Sequence, residues 1–265
     1  MTDLFESGLQ YRTIAGYRSM LSAVLQPIGN IPVGQHPHII RLLKGVFNSR
    51  PPTVKLLPEW DLQLVLNMLQ KEPFEPLSKA SLKITTFKTI FLMAISTFRR
   101  CGDLQSLKLG EGSVRVQKKG VTFIRQGLAK QDRERHFGSQ IFVPAFQENY
   151  RLDPKRALYW YLKKTQFLRK GSDGISEKKI FLALNKPHQA VSTQTISNWI
   201  VQTIKMAYQD KCLKVKAHST RALGPTWALY KGASMKSILE VADWSKESTF
   251  TKFYLRDLDV EVLKQ

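Results

Sequence analysis

The sequence predicts a mixed α/β fold that is mainly helical and contains one small antiparallel sheet. Apolar residues recur at helical spacing over most of the chain. Between residues 113 and 144, three short segments rich in Val, Ile and Phe alternate with turn and polar residues, a pattern typical of strands. A proline-rich stretch at about 50–58 separates a short helical domain, residues 1–55, from a larger domain, residues 56–265.

The first domain is predicted to be helical with one interruption. Helical spacing is set by Tyr11, Ile14, Tyr17, Leu21 and Leu25, and again by Ile39, Ile40, Leu43 and Phe47. The prolines and glycines between residues 27 and 34 break the pattern. We therefore expect two longer helices joined by a loop.

The second domain is predicted to begin with helices, continue into the sheet and end in helices. A helix covers Trp60 to Leu69, and a longer one, capped by Ser78, runs to about Thr97. The strands are Ser113–Val116, Val121–Arg125 and Gln140–Pro144, with a Lys119-Gly120 turn between the first two. Later helices start at Asp153-Pro154, cover Thr195–Tyr208, and lie near 219–230, 235–242 and 248–255.

The charge of the chain indicates a polyanionic partner. Lys and Arg number 41 against 21 Asp and Glu, which gives a formal net charge of +20 and a pI near 10.0. Such an excess on a folded domain favours nucleic acid as the partner. The bland alternative is a solvated basic surface or a ribosome-associated protein.

Cysteine content and apolar runs exclude several classes. The two cysteines, Cys101 and Cys212, exclude a disulfide framework and a zinc site built from cysteines. The longest apolar run, residues 90–95, is too short to span a membrane, and no secretory signal is visible at the N-terminus. We expect no membrane partner and a nuclear or cytoplasmic location.

The last fifth of the chain carries a set of side chains suited to one chemistry. His218 and Arg221 lie three positions apart, Trp244 follows, and Tyr254 comes ten positions after it. Imidazole, guanidinium and indole groups can all donate to an anionic oxygen, and a tyrosine hydroxyl is a candidate nucleophile. The set predicts attack by a tyrosine on a phosphodiester.

Residues upstream complete a pattern that resembles the tyrosine recombinase, or phage-integrase-like, family. Arg100 and Asp103 match its Arg-x-x-Glu/Asp-Leu box, and Lys130 falls in a polar loop that resembles the family's β-hairpin loop. The order Arg, Lys, His-x-x-Arg, Trp, Tyr completes the resemblance, which covers residues from about 58 to 258. The wording around residues 217–234 looks most like recombinases of eukaryotic mobile elements, the DIRS-like and Crypton-like kind.

The resemblance implies a role for each matched residue. Arg100 and Arg221 would clamp the phosphate, with Asp103 in support. Lys130 would protonate the departing 5′ oxygen, and His218 would move the nucleophile's proton or donate to phosphate. Trp244 stands where most members have His, and its N–H would position the phosphate, while Tyr254 would form a 3′-phosphotyrosine. No metal or other cofactor is expected.

Several assignments have competitors within the sequence. Arg99 competes with Arg100, which is preferred because it sets the three-residue step to Asp103. Lys118 and Lys119 compete with Lys130, although a contact with the DNA backbone is the simpler interpretation of that pair. Phe98 replaces the family's usual Gly two positions before the first Arg. Another tyrosine, at position 230, is predicted to be a core residue.

The sequence thus predicts a site-specific DNA recombinase or integrase that acts in DNA integration, excision or transposition of a mobile element. The expected partners are double-stranded DNA and further copies of the chain, as a dimer or tetramer assembled on DNA. Residues 1–55 resemble a short core-binding domain, and apolar residues after Tyr254 suggest a segment that docks on a neighbouring subunit. The alternatives are a type IB topoisomerase-like enzyme and a domesticated, catalytically inactive DNA-binding protein.

Overall fold

In a computed structural model, the chain divides into two compact units, Met1–Leu56 and Leu57–Gln265. The structure describes residues 1–52, 60–125, 134, 140–169, 178–210 and 212–256. Lys130 and the segment after Arg256, on which two predictions depend, lie outside the described residues.

The first unit is helical, as the spacing of its apolar residues predicts. Its helices are α1 (Thr2–Glu6), α2 (Tyr11–Val24) and α3 (Pro37–Ser49). Ile14, Leu43 and Val46 are buried where α2 meets α3. Arg50, which follows α3, donates from Nη1 to the carbonyls of Phe5 (3.2 Å) and Leu9 (2.8 Å), so the end of α3 is tied to the start of the chain.

The second unit contains one three-stranded sheet and eight helices among its described residues. The helices are α4 (Leu62–Leu69), α5 (Leu82–Thr97), α6 (Cys101–Ser106), α7 (Pro154–Thr165), α8 (Thr193–Tyr208), α9 (Thr220–Tyr230), α10 (Met235–Ala242) and α11 (Glu247–Phe253). The strands are β1 (Val114–Gln117), β2 (Gly120–Ile124) and β3 (Gln140–Pro144). This mainly helical architecture confirms the predicted fold class.

Helix α5 is the centre of the second unit. It packs against α7, α8, α9 and β3, and nearly all of its residues are buried. Its threonines are accommodated because their hydroxyls donate to carbonyls one turn earlier; Thr89, for example, donates to Thr85 O at 2.7 Å. The predicted N-cap, Ser78, is wrong. The cap is Ser81, whose Oγ accepts from the Ile84 N–H, so the helix starts after a turn that holds Ser78.

The sheet is antiparallel with the order β1-β2-β3, as the sequence predicts. The turn between β1 and β2 consists of Lys118 and Lys119, whereas Gly120 already pairs with Gln117 and Pro144. Gly120 serves close packing, because a Cβ there would lie 2.4 Å from the Val143 carbonyl oxygen. The predicted Lys119-Gly120 turn is therefore displaced by one residue.

Three short helices, α9, α10 and α11, carry the end of the described chain. Gly232, at φ +90°, allows the turn from α9 to α10, and Asp243, at φ +56°, ends α10 in the left-handed region. Phe250 of α11 is buried in a cluster with Phe98, Ile238, Ala242 and Trp244. Tyr230, predicted to be a core residue, is 46% exposed, because it lies on the outer side of the last turn of α9.

None of the helices described is long and apolar enough to cross a membrane.

Candidate active site

Two consecutive arginines follow α5, and the structure gives them different surroundings. Arg99 is buried, with Nη1 2.9 Å from Asp243 Oδ2 and Nη2 donating to Gln140 O at 2.9 Å. This ion pair joins the end of α5 to the end of α10. Arg100 is half-buried and lines a pocket instead. Of the two, Arg100 therefore faces a space that a substrate can enter.

Asp103 supports the start of α6, where Arg100 stands. Its Oδ2 accepts a hydrogen bond from the Arg100 backbone N–H at 3.0 Å, which is the reciprocal half of a capping arrangement. Asp103 is itself buried and lines the same pocket. The Arg-x-x-Asp spacing of the sequence thus produces a fixed position for the Arg100 backbone.

Phe98 connects this segment to the second arginine of the predicted site. Its backbone lies in the left-handed region, at φ +54° and ψ +19°, which favours glycine. The Phe98 carbonyl accepts from Arg221 Nη1 at 2.5 Å. Its ring is buried over Gly224, where an added Cβ would lie 2.9 Å from the ring. The phenylalanine thus keeps a backbone shape suited to glycine while adding packing.

Arg221, on α9, is almost completely buried. Besides the bond to Phe98, its Nη2 donates to the Ala242 carbonyl at 2.9 Å. Burial and then the charge of Arg100 lower the pKa of Arg221 to about 10, and the hydroxyl of Tyr254 opposes this shift as a hydrogen-bonding partner. The guanidinium therefore stays charged at neutral pH, and its contacts fix it between α5, α10 and Tyr254.

Trp244 and Tyr254 stack on each other beside this guanidinium. Their ring centroids lie 4.6 Å apart at an interplanar angle of 25°, and Phe250 stacks on Trp244 at 5.5 Å. The Arg221 guanidinium lies over both rings of the pair, 4.8 Å from the Trp244 centroid and 5.7 Å from that of Tyr254. The indole is thus a platform for the tyrosine ring as well as a donor.

Two donors of this cluster are buried with no hydrogen-bond partner among the described residues. They are Nε1 of Trp244 and Nε of Arg221. Buried donors in native proteins are nearly always paired, and leaving one unpaired costs about 1–3 kcal/mol. An acceptor such as a phosphate oxygen would satisfy them.

His218 lies between the aromatic cluster and the pocket. It belongs to the short 3-10 turn Ala217–Ser219, and its ring centroid is 5.5 Å from that of Tyr254. Partial desolvation lowers the pKa of His218, and the positive charges of Arg221, Arg100 and Arg256 lower it further. The imidazole is therefore neutral at pH 7 and able to accept a proton.

The pocket is open, with a volume of about 500 Å³. It lies among the end of β2, the start of α6, the first turns of α8, and His218. Its lining combines positive side chains with small polar ones: Arg100, Cys101, Gly102, Asp103, Ser106, Arg125, Thr193, Gln194, Ser197 and His218. Within the described part of the chain, no group of three or more His, Cys, Asp or Glu side chains is arranged to hold a metal ion.

The predicted site residues are thus partly brought together. Arg100, with Asp103, and His218 line the pocket, and Arg221, Trp244 and Tyr254 form the cluster beside it. Lys118 and Lys119 are exposed at the β1–β2 turn and do not line the pocket. Arg125 lines the pocket but is absent from the sequence-based set, because an arginine at the end of a strand carries no motif of its own.

The fold is shared with known recombinases. The integrase of transposon Tn1549 in complex with a circular-intermediate DNA superposes with a TM-score of 0.58 at 14% identity, covering 99% of this chain and 80% of that one. XerA recombinase gives 0.54 at 16% identity, covering 99% and 86%. A lambda integrase dimer bound to a COC′ core site gives 0.52 at 13%, covering 95% and 83%.

No protein-family model and no curated protein matches the sequence. The chain has the fold of the tyrosine recombinases, which is the fold that the sequence resemblance implies.

Proposed function

We propose that the protein is a site-specific DNA recombinase or integrase that cleaves and rejoins DNA through a 3′-phosphotyrosine at Tyr254. One observation carries the proposal. Tyr254 is stacked on Trp244 with its hydroxyl at Arg221 and its ring beside His218, at the edge of a pocket lined by Arg100. A nucleophile, donors and a proton acceptor therefore meet in one chain.

The proposed reaction begins with attack by the Tyr254 oxygen on the phosphorus of a DNA phosphodiester. Neutral His218 accepts the phenol proton, and the bond from phosphorus to the 5′ oxygen breaks. Arg100, Arg221 and the Trp244 N–H donate to the non-bridging oxygens, whose charge grows in the transition state. The 5′ oxygen takes a proton from Lys130, for which the sequence resemblance remains the only support. Rejoining is the reverse sequence with a second 5′-hydroxyl.

Charge supports DNA as the substrate, and the structural neighbours support oligomerisation on it. The net charge of +20 exceeds what folding requires and favours a polyanion. Both the lambda integrase dimer and the Tn1549 integrase are in complex with DNA. Integration or excision of a mobile element, a eukaryotic source and a nuclear location remain proposals that rest on the sequence resemblance.

The experiment has two stages, because the target sequence must first be found. Full-length protein selects duplexes from a random library, and the enriched site is then rebuilt as a suicide substrate with a nick beside each candidate phosphate. We expect an adduct that survives SDS for the wild type and none for Tyr254→Phe, which binds DNA nearly as well because only a hydroxyl is lost.

Tyr230→Phe is the matched control, since this exposed tyrosine lies on α9 and has no predicted role. It should form the adduct as the wild type does. Binding of a selected site without any adduct would instead support the inactive DNA-binding alternative. Relaxation of supercoiled plasmid by single subunits, with no strand exchange between two sites, would support the topoisomerase-like alternative.

A further inference from the structure

Arg125 is a buried guanidinium that the predicted site does not use. It directly follows β2 and is only 5% exposed, yet it lines the same pocket as Arg100 and His218. It also lies near enough to Arg99 for their positive charges to act on each other. Arginine is rarely buried without a counter-charge, so this placement calls for an explanation.

The charges that face the pocket are unbalanced. Arg100, Arg125 and the protonatable His218 are set against a single carboxylate, Asp103. The neighbouring carboxylate, Asp243, is already engaged with Arg99 at 2.9 Å. An anion in the pocket would therefore lower the electrostatic energy of the site, because each guanidinium loses part of its hydration on burial.

The geometry suits a phosphate group more than a carboxylate of a partner protein. Arg100 comes from the start of α6 and Arg125 from the end of β2, so two guanidinium forks reach one pocket from separate elements. Each fork can donate two parallel hydrogen bonds, and a tetrahedral phosphate can accept from both. The hydroxyls of Thr193 and Ser197 on α8 add neutral polar groups to the opposite wall.

We propose that Arg125 is a further phosphate-binding residue, which contacts the phosphodiester seated between Arg100 and His218. The identity of the anion as DNA rests on the proposed function. The contact adds a third arginine to the pair that the family resemblance implies. It also places a phosphate contact at the residue five positions before Lys130, at the start of the segment that carries the predicted general acid.

The test uses inorganic phosphate as the probe, because it requires neither a known target nor cleavage. The imidazole signals of His218, assigned with the variant His218→Gln, report phosphate entering the pocket of the full-length protein by NMR. We expect Arg125→Ala to weaken the apparent phosphate affinity at least tenfold. Arg125→Lys, which keeps the charge without the fork, should lie in between. Arg115→Ala is the matched control, since Arg115 is an exposed arginine of β1 outside the pocket.

Equal phosphate affinity of the wild type and Arg125→Ala would overturn the proposal. So would a wild-type His218 signal that phosphate does not move. If Arg125→Ala does not fold, the comparison of Arg125→Lys with the wild type decides, and equal affinity there counts against the proposal. A loss of phosphate affinity in the variants, combined with no wild-type DNA adduct, would refute the recombinase activity and leave the phosphate site standing. Normal adduct formation with no role for Arg125 would refute only this inference.

Discussion

The two sides of the candidate site are built in opposite ways. On the side of α9–α11, Arg221 and Trp244 are buried, and aromatic rings stack above the guanidinium. On the other side, Arg100 and His218 border an open pocket of about 500 Å³ that is polar and positively charged. The same types of donor, guanidinium and ring N–H, are therefore fixed by packing on one side and left accessible on the other.

This difference separates preorganisation from binding. Arg221 donates to two backbone carbonyls before any substrate arrives, so its position costs no reorganisation during the reaction. Arg100 has its backbone held by Asp103, while its side chain faces the pocket. The buried side therefore sets the direction of the nucleophile, and the open side receives the phosphate.

The same substitution made on both sides should have different effects on stability. Arg221→Lys removes donors from the buried carbonyls of Phe98 and Ala242, so we expect the free energy of unfolding to fall by about 2 kcal/mol or more. Arg100→Lys should change it by about 0.5 kcal/mol or less, as is usual at accessible positions. Both variants should lose roughly 10²-fold or more in cleavage rate. Urea unfolding and single-turnover cleavage measure the two quantities, and equal losses of stability would contradict the comparison.

Trp244 allows its two roles to be measured separately. Trp244→Phe removes the unpartnered N–H but keeps a ring for stacking, so we expect cleavage to fall about tenfold or more while stability falls little. Trp244→Leu also removes the stacking on Tyr254 and Phe250, and should lower stability by about 2–4 kcal/mol. If Trp244→Phe cleaves at the wild-type rate, the indole N–H does not contact the phosphate.

His218 provides the smallest effect, through pH. Since desolvation and nearby arginines lower its pKa, the NMR titration midpoint of its imidazole should lie below the usual 6.5 in the free protein. Arg100→Ala should move the midpoint upward, because a positive charge is removed. Below about pH 6.5 the unfolded chain binds a proton that the folded chain resists, so stability should fall as the pH decreases, and fall less in His218→Gln. A midpoint at or above 6.5 would remove the case for a neutral acceptor.

Local signals were enough to predict much of the fold. Asp153 caps α7 and Pro154 begins it, as the Asp-Pro pair predicts, and the alternation of Val121 to Ile124 places β2 in the sheet. Ser81 rather than Ser78 caps α5, because the intervening turn depends on tertiary packing that a capping preference does not report. A periodic pattern also could not show that Tyr230 lies on an exposed face.

The site was predictable in its motifs and unpredictable in its contacts. The spacing of Arg100 and Asp103 predicts a capped helix start, which the structure contains. The bond from Arg221 to Phe98 joins residues 123 positions apart, and the stacking of Trp244 on Tyr254 depends on how α11 folds back. Arg125 enters the pocket only through the register of β2. Such long-range contacts leave no pattern in neighbouring residues.

The central claim is that Tyr254 becomes covalently attached to DNA, and peptide mapping of the adduct tests it most directly. After cleavage of a suicide substrate, nuclease and trypsin treatment should leave a nucleotide on the fragment 253–256, which trypsin releases after Lys252 and Arg256. The account predicts the added mass on this fragment, located on Tyr254. A nucleotide on the fragment 222–231, which contains Tyr230, or on any other fragment would contradict it.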